Sequence, residues 1–568
     1  MTGKSLDAIS LEDFRNALES VVDESFVALM KSAYSSNIKE RRDHSVAIFD
    51  SSGRLVAQAK QSLPIHLGSL GGLIRALIDA VPFASMQAGD IFVGNDPYAA
   101  GGTHLPDLNF AMPVFCGEKI VCFVCNIAHH SDFGGMSPGS MAGGMTEIYQ
   151  EGLRVPAVRL YRGGRLVEDV LALLLLNTRV HEERHGDLLA QTAACRLGAR
   201  RFAELLSVYD LDSVLDGFDE LIRRTEQRLR SAIEGIPDGV YTFEDVVDDD
   251  GAGSTGIPIR LTATVAGNRL HLDFTGSSPQ VRGNVNCTAS ATQSAVGYAV
   301  KALLDPDVPN NQGAFDAVQW VAPPGSIVNA RYPAAVAHRA QTVQRIIDVI
   351  LGALSKALPE RAVGAANGAN TTAVFSGIRP DTGTQYVYLE TLGGGFGARA
   401  SKDGKDGVQV HITNTSNLPV EVIESEYPLY VESYSLVPDS GGAGMWRGGL
   451  GLRRVIRPLR HSCTFSGSGE RFVHSPWGIF GGHAGKPGSF FLRRPDGSTV
   501  RLPNKPAGIA ISDGEAVILT TPGAGGYGSP SARLAERSVQ DYISGKFSRE
   551  FLERAYGVDL EPQPEEQV

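Results

Sequence analysis

The tripeptide Pro237-Asp-Gly239 separates two kinds of residue pattern, and any fold for this chain must respect the division. From about 180 to 236, apolar residues recur at helical spacing: Leu188, Leu189, Leu197, Phe202, Leu205 and Leu206, then Leu221, Ile222 and Leu229. Beyond Gly239 strand-like runs dominate, with helical stretches only near 288–304 and 338–357. After 360 the chain reads as mainly β with very frequent glycine. No period marks a repeat protein. The fold expected is α+β, with a mixed N-terminal half (1–236), a β-rich half (237–530) and a C-terminal helix and polar tail (531–568).

Near the start, Phe14, Leu18, Val21, Val22, Phe26, Leu29 and Met30 predict an amphipathic helix from Leu11 to about Ser35. A hairpin follows, Ser45 to Phe49 and Arg54 to Gln58 about the turn Asp50-Ser-Ser-Gly53. Residues 60–160 read as short apolar runs between Gly/Pro-rich loops. Within them Ile120 to Ile127 predicts a buried strand, on which Cys122 and Cys125 point to opposite faces and share no metal. Ser531 to Tyr556 reads as helical, and Glu561 to Val568 as a frayed tail.

A net charge of −11 with no clustered Lys/Arg argues against a nucleic-acid partner. The longest apolar run, Val170 to Leu176, is too short to cross a bilayer, and the first residues lack an apolar leader. Six cysteines in 568 residues suit a reducing compartment, so a cytoplasmic protein is expected.

Phosphate cradles are poorly represented. Gly3-Lys4-Ser5 lacks the upstream glycine and strand of a Walker loop. Gly523-Ala-Gly-Gly-Tyr-Gly528 has the dinucleotide spacing but no room for a following βαβ unit, and reads as a structural turn. The densest polar cluster runs from Gly94 through His104-Leu-Pro-Asp107 and resumes at His129-His130-Ser131-Asp132. Imidazole and carboxylate ligands suit zinc, manganese or iron(II), and Pro106 bends the chain so that His104 and Asp107 can converge. His129 and His130 are neighbours at a strand end and diverge, so one at most joins the site easily. The same residue types also cap turns in glycine-rich loops without any metal.

Several stretches together resemble the hydantoinase B/oxoprolinase family, which also includes large subunits of ketone carboxylases. They are Ile38 to Asp43, Pro64 to Gly68, Gly94 to Tyr98, Gly101 to Asp107, His129 to Gly135 and Glu151-Gly152. Further on come Gly395 to Arg399, Asp403-Gly404, Pro419 to Glu421, Trp446 to Gly449 and Gly523 to Gly528. The resemblance extends to about residue 530. It implies a divalent metal held by His104, Asp107 and His129, with Asp43 a further ligand. His44 stands beside Asp43 where an aromatic or apolar residue is expected, which bears on the surroundings of that ligand.

The resemblance also implies that a separate, hydantoinase A-like subunit handles ATP in a hetero-oligomer, and that the substrate is a cyclic amide. Phosphorylating the amide oxygen on the partner would convert a poor electrophile into one that the metal-binding chain need only supply with water. His130 or Glu151 is then a proton carrier, and Arg399 a receiver of phosphate or carboxylate. Two other readings stand beside this one: a ketone carboxylase subunit, and a non-catalytic scaffold with a structural metal.

Overall fold

The computed structural model describes residues 6–559, so Gly3-Lys4-Ser5 and the tail from Glu561 lie outside the described residues. The first helix, Ala8–Ser32, is capped by Asp7, whose carboxylate accepts from the amides of Ile9 and Ser10. It buries Leu11, Phe14, Leu18, Val21, Val22, Phe26 and Leu29 along one face, the stripe that the spacing predicts.

That face rests on an antiparallel seven-stranded sheet built from β1 (His44–Asp50), β2 (Leu55–Gln58), β3 (Ile91–Gly94), β4 (Asp107–Cys116), β5 (Lys119–His129), β6 (Val158–Arg162) and β7 (Arg165–Leu166). The strand order is β2-β1-β5-β4-β3-β6-β7. Along β5, Cys122 and Val124 pack with Phe14, Phe202 and Phe218, whereas Phe123, Cys125 and Ile127 join Leu70, Leu73 and Leu77 on the opposite face. The period of two thus separates the cysteines as expected.

The second face is covered by a helix that residue propensity does not announce. It runs His66–Ala80, in a stretch that reads as loops because Gly68, Gly71 and Gly72 lower helix propensity. Two of these glycines are required by packing. A Cβ at Gly68 would stand 2.0 Å from the Ser290 carbonyl oxygen, and one at Gly72 would stand 2.1 Å from that of Gly101.

The long helical pattern before Pro237 is two helices, His181–Leu205 and Leu211–Glu234, the second capped by Asp210. Leu189, counted in the apolar stripe, is exposed.

In the C-terminal half, strands Gly239–Asp249, Thr255–Ala266, Arg269–Asp273 and Val318–Val321 form a four-stranded sheet. Against it lies the helix Arg339–Leu354, buried at every residue. Leu63 and Ile65 from the N-terminal half enter the same core, beside Ile259, Val343 and Ile347.

Two further sheets, of four and five strands, share a core around Phe375, Phe465, Phe490 and Leu519. In this part of the chain glycine-rich backbone segments bond sideways to one another. Gly525 N donates to Ala365 O (2.8 Å), Ala524 N to Gly449 O (3.0 Å) and Gly526 N to His483 O (2.9 Å). A Cβ at Gly525 would meet Trp477 O at 1.8 Å, so only glycine permits this spacing. The Gly523–Gly528 amides named here are committed to neighbouring backbone. The C-terminal helical stretch is two helices, Ala535–Ile543 and Arg549–Tyr556, the latter capped by Ser548.

Candidate metal centre

Strand pairing creates the site. Asp107 opens β4 and stands directly opposite His129, the last residue of β5. His129 N in turn donates to Asp43 O (3.0 Å), just ahead of β1, so three adjacent strands bring these residues to one edge. His104 arrives on the loop between β3 and β4. That loop is clamped where Gly101, at φ +64°, lies against Gly72 of the helix beneath, and where Asn95 Nδ2 donates to Leu105 O (2.8 Å).

Ligand atoms of His104, Asp107 and His129 lie within 4.8 Å of one another, and all three residues are buried. His104 Nδ1 donates to Ala337 O (3.1 Å), which directs the lone pair of Nε2 to within 3.0 Å of Asp107 Oδ1. The other carboxylate oxygen, Oδ2, accepts from Arg339 Nη2 (2.6 Å) and Thr103 Oγ1 (3.3 Å). His104 Nε2 and Asp107 Oδ1 are left buried without a hydrogen-bond partner. Buried polar atoms are rarely orphaned, and a divalent cation is the partner that satisfies a facing nitrogen and carboxylate oxygen together. The donor set therefore fits the ion that the sequence suggests.

The electrostatics agree. Burial alone would raise the Asp107 carboxyl, but the surrounding groups, the Arg339 guanidinium on Oδ2 among them, outweigh it and hold it well below the usual carboxylate range. Burial, with the Arg339 charge nearby, lowers His104, and burial lowers His129 further, so both imidazoles stay neutral as metal ligands must.

Asp43 borders this trio. Its Oδ1 lies 3.6 Å from His66 Nε2, and burial pushes its carboxyl up to about 7 against the pull of Arg41. His44 turns away from it, stacking on Phe26 with ring centroids 4.0 Å apart and its Nε2 3.1 Å from Phe26 O.

The two adjacent histidines take different surroundings. His130 Nε2 meets Gln191 Oε1 at 3.0 Å, its ring lies edge-on to Phe133, and burial with the Arg184 charge lowers it to about 4. Glu151 is fully buried beneath the segment that holds His104: its Oε1 accepts from Val336 N and Ala337 N, both at 2.7 Å. Arg399 rests over the Phe396 ring at 5.5 Å, and its backbone pairs with Val363 and Lys402; no hydrogen bond joins it to the cluster among the described residues.

Three contributors carry no assignment from sequence. His66 lies 3.8 Å from Asp107 Oδ1, with its Nδ1 fixed by Ser45 Oγ (2.9 Å). Asn37 donates to His129 O (2.6 Å) and is itself held by Arg41. Arg339 reaches in from the other half of the chain. His66 falls in Pro64 to Gly68, one of the stretches that carry the family resemblance, and that is its one available signal; nothing local marks Arg339.

The sequence profile of the family described as Hydantoinase B/oxoprolinase matches residues 7–530, and the chain belongs to that family. It is 33% identical to the B-type chain of a putative D-/L-hydantoinase from Pseudomonas sp. (strain NS671), over 98% of this chain and 96% of that one. It is likewise 33% identical to the beta chain of caprolactamase from Pseudomonas jessenii, over 98% and 97%. Among solved structures, that of the ATP-dependent caprolactamase from Pseudomonas jessenii superposes with a TM-score of 0.92 at 30% identity, covering 99% of this chain and 98% of that one. A nucleotide-free acetone carboxylase shares the fold at 20% identity, with a TM-score of 0.90 over 97% of this chain and 80% of that one. No helix among the described residues is long and apolar enough to cross a membrane.

Proposed function

We propose that this chain is the metal-binding subunit of an ATP-dependent cyclic-amide hydrolase that works with a separate, hydantoinase A-like ATP-binding subunit in the cytoplasm. The observation that carries this reading is the pair of orphaned, facing atoms His104 Nε2 and Asp107 Oδ1, with His129 beside them in one buried cluster. The relatives named as hydantoinase, caprolactamase and ATP-dependent caprolactamase favour the hydrolytic branch.

His104, Asp107 and His129 would hold a divalent ion, with Asp43 at the margin completing an oxygen-and-nitrogen ligand set of the zinc, manganese or iron kind. When bound, such an ion acidifies a water and polarises a substrate carbonyl. The chain's own residues do the positioning. Ala337 O fixes the His104 tautomer, Arg339 and Thr103 occupy one oxygen of Asp107 and aim the other, and Asn37 holds the end of β5. Arg339 also keeps the Asp107 carboxylate ionised in a buried site. Arg399 and His130 stand as candidates for anion binding and proton transfer.

The chain purified with its hydantoinase A-like partner is to be screened on hydantoin, N-methylhydantoin, 5-oxoproline and larger lactams. Ring opening that requires both chains, ATP and a divalent ion is expected, with no ATP binding to the isolated chain by calorimetry. Bicarbonate-dependent carbon incorporation into a ketone, in place of ring opening, overturns the assignment.

A further inference from the structure

A cavity of about 300 Å³ is lined by Pro64 and Leu67, the residues either side of Ile65-His66, and so shares a turn with the metal cluster without including any of its ligands. Much of the wall is apolar, from Leu67, Ala302, Pro306, Ala314 and Phe315. No aspartate or glutamate lines it among the described residues, whereas Lys60, Lys301 and His411 do.

The charges are unevenly compensated. Lys60 pairs with Glu19 at 3.2 Å, and His411 Nε2 is held by Asp348 Oδ1 at 3.3 Å. Lys301 has no carboxylate within ion-pair distance among the described residues; its Nζ donates one hydrogen bond, to Asn310 Oδ1 (2.6 Å). The nearby Asp305 is taken by Arg228 (2.8 Å). An ammonium that is half-buried, partly desolvated and short of acceptors is a place for an anion.

A second group points the same way. Gln58 lines the cavity, is 6% exposed, and its Nε2 has no hydrogen-bond partner. A buried amide donor left unmade is costly, so a native structure keeps one where something comes to fill it. Tyr298, one turn before Lys301 on the helix Ala289–Leu304, also lines the space and adds a hydroxyl.

We propose that this cavity binds a small monocarboxylate with an apolar body, its carboxylate meeting the Lys301 ammonium and the Gln58 amide and its hydrocarbon part lying against Leu67, Pro306 and Phe315. Lys301, which has no direct ion pair among the described residues although Asp305, Asp307 and Glu19 stand in its neighbourhood, matches at most one negative charge, and the largely apolar wall disfavours a bare, doubly charged phosphate, which would bury more charge than the site can neutralise. The site is independent of the proposed metal chemistry.

The test is calorimetric titration of the full chain with hexanoate and, as a neutral analogue of the same chain length, 1-hexanol. One hexanoate per chain is expected, with 1-hexanol at least about tenfold weaker because it lacks the charge-assisted contact. Lys301→Met weakens hexanoate by about tenfold or more, and Gln58→Leu, on a different element, by severalfold, so that misfolding of one variant does not decide the outcome. His104→Ala binds hexanoate as the unaltered chain does, which separates this cavity from carboxylate capture at the metal cluster. Absence of binding at millimolar hexanoate, equal affinity for 1-hexanol, unchanged affinity in both cavity variants, or loss in His104→Ala with retention in Lys301→Met overturns the proposal.

Discussion

Glu151 is where a catalytic and a positioning role can be separated by experiment. Its Oε1 accepts two buried backbone amides at 2.7 Å, those of Val336 and Ala337, and the carbonyl of Ala337 receives His104 Nδ1. Glu151→Leu leaves both amides without a partner, at about 1–3 kcal/mol each, so roughly 2–6 kcal/mol is lost beneath the loop carrying His104. Removal of such outer support lowers metal affinity by about 10–100-fold. Glu151→Gln keeps an acceptor oxygen in place and should hold the ion nearly as well, with kcat changed only severalfold.

Burial pushes the Glu151 carboxyl up to about 8 from its ordinary 4.5. The folded chain therefore keeps this proton at neutral pH while the unfolded chain releases it. Its contribution to stability is complete below about 4.5 and is lost as pH rises through about 8, a slope that Glu151→Gln removes. Chelator competition, steady-state kinetics and urea midpoints across that pH range measure all three effects. Full metal content in Glu151→Gln with a kcat lowered by about 10²–10⁴-fold, the size of a lost acid–base catalyst, would refute the positioning role.

His104→Ala and Asp107→Ala are each expected to lose the ion by elemental analysis yet remain folded by circular dichroism, since a core of this size does not depend on one metal. His129→Ala should lose metal and turnover together, whereas His130→Ala, whose imidazole is engaged by Gln191, should keep the metal and lose at most turnover. Gly72→Ala places a Cβ 2.1 Å from Gly101 O and should cost about 1–3 kcal/mol or more, together with metal affinity, because it pushes on the loop carrying His104. Gly71→Ala, one residue away with its nearest neighbours at 3.6 Å, is the matched control and should be tolerated.

The sequence is most readable where chemistry is local. Helical spacing locates Ala8–Ser32, turn residues locate the β1–β2 hairpin, and strand alternation sets Cys122 and Cys125 on opposite faces. The helix His66–Ala80 escapes such reasoning because its glycines signal loop on propensity, while their actual role, letting Ser290 and Gly101 backbone approach, is a contact between distant segments. The same limit applies in the site. His104, Asp107 and His129 lie within one stretch of chain and stand out as a polar cluster. Asn37 and Arg339 do not, and their contacts depend on sheet order and on where a wholly buried helix begins.

Arg339 lies 232 residues after the carboxylate it neutralises. At roughly 5–20 residues per second of synthesis, Asp107 and its histidines leave the ribosome about 10–50 s before their guanidinium partner exists. During that interval the Asp107 carboxylate has no Arg339 to balance it. On the proposed metal role, the ligand set His104, Asp107 and His129 would be complete in the growing chain before Arg339 is made, and selection of the ion would wait for the second half to fold over it.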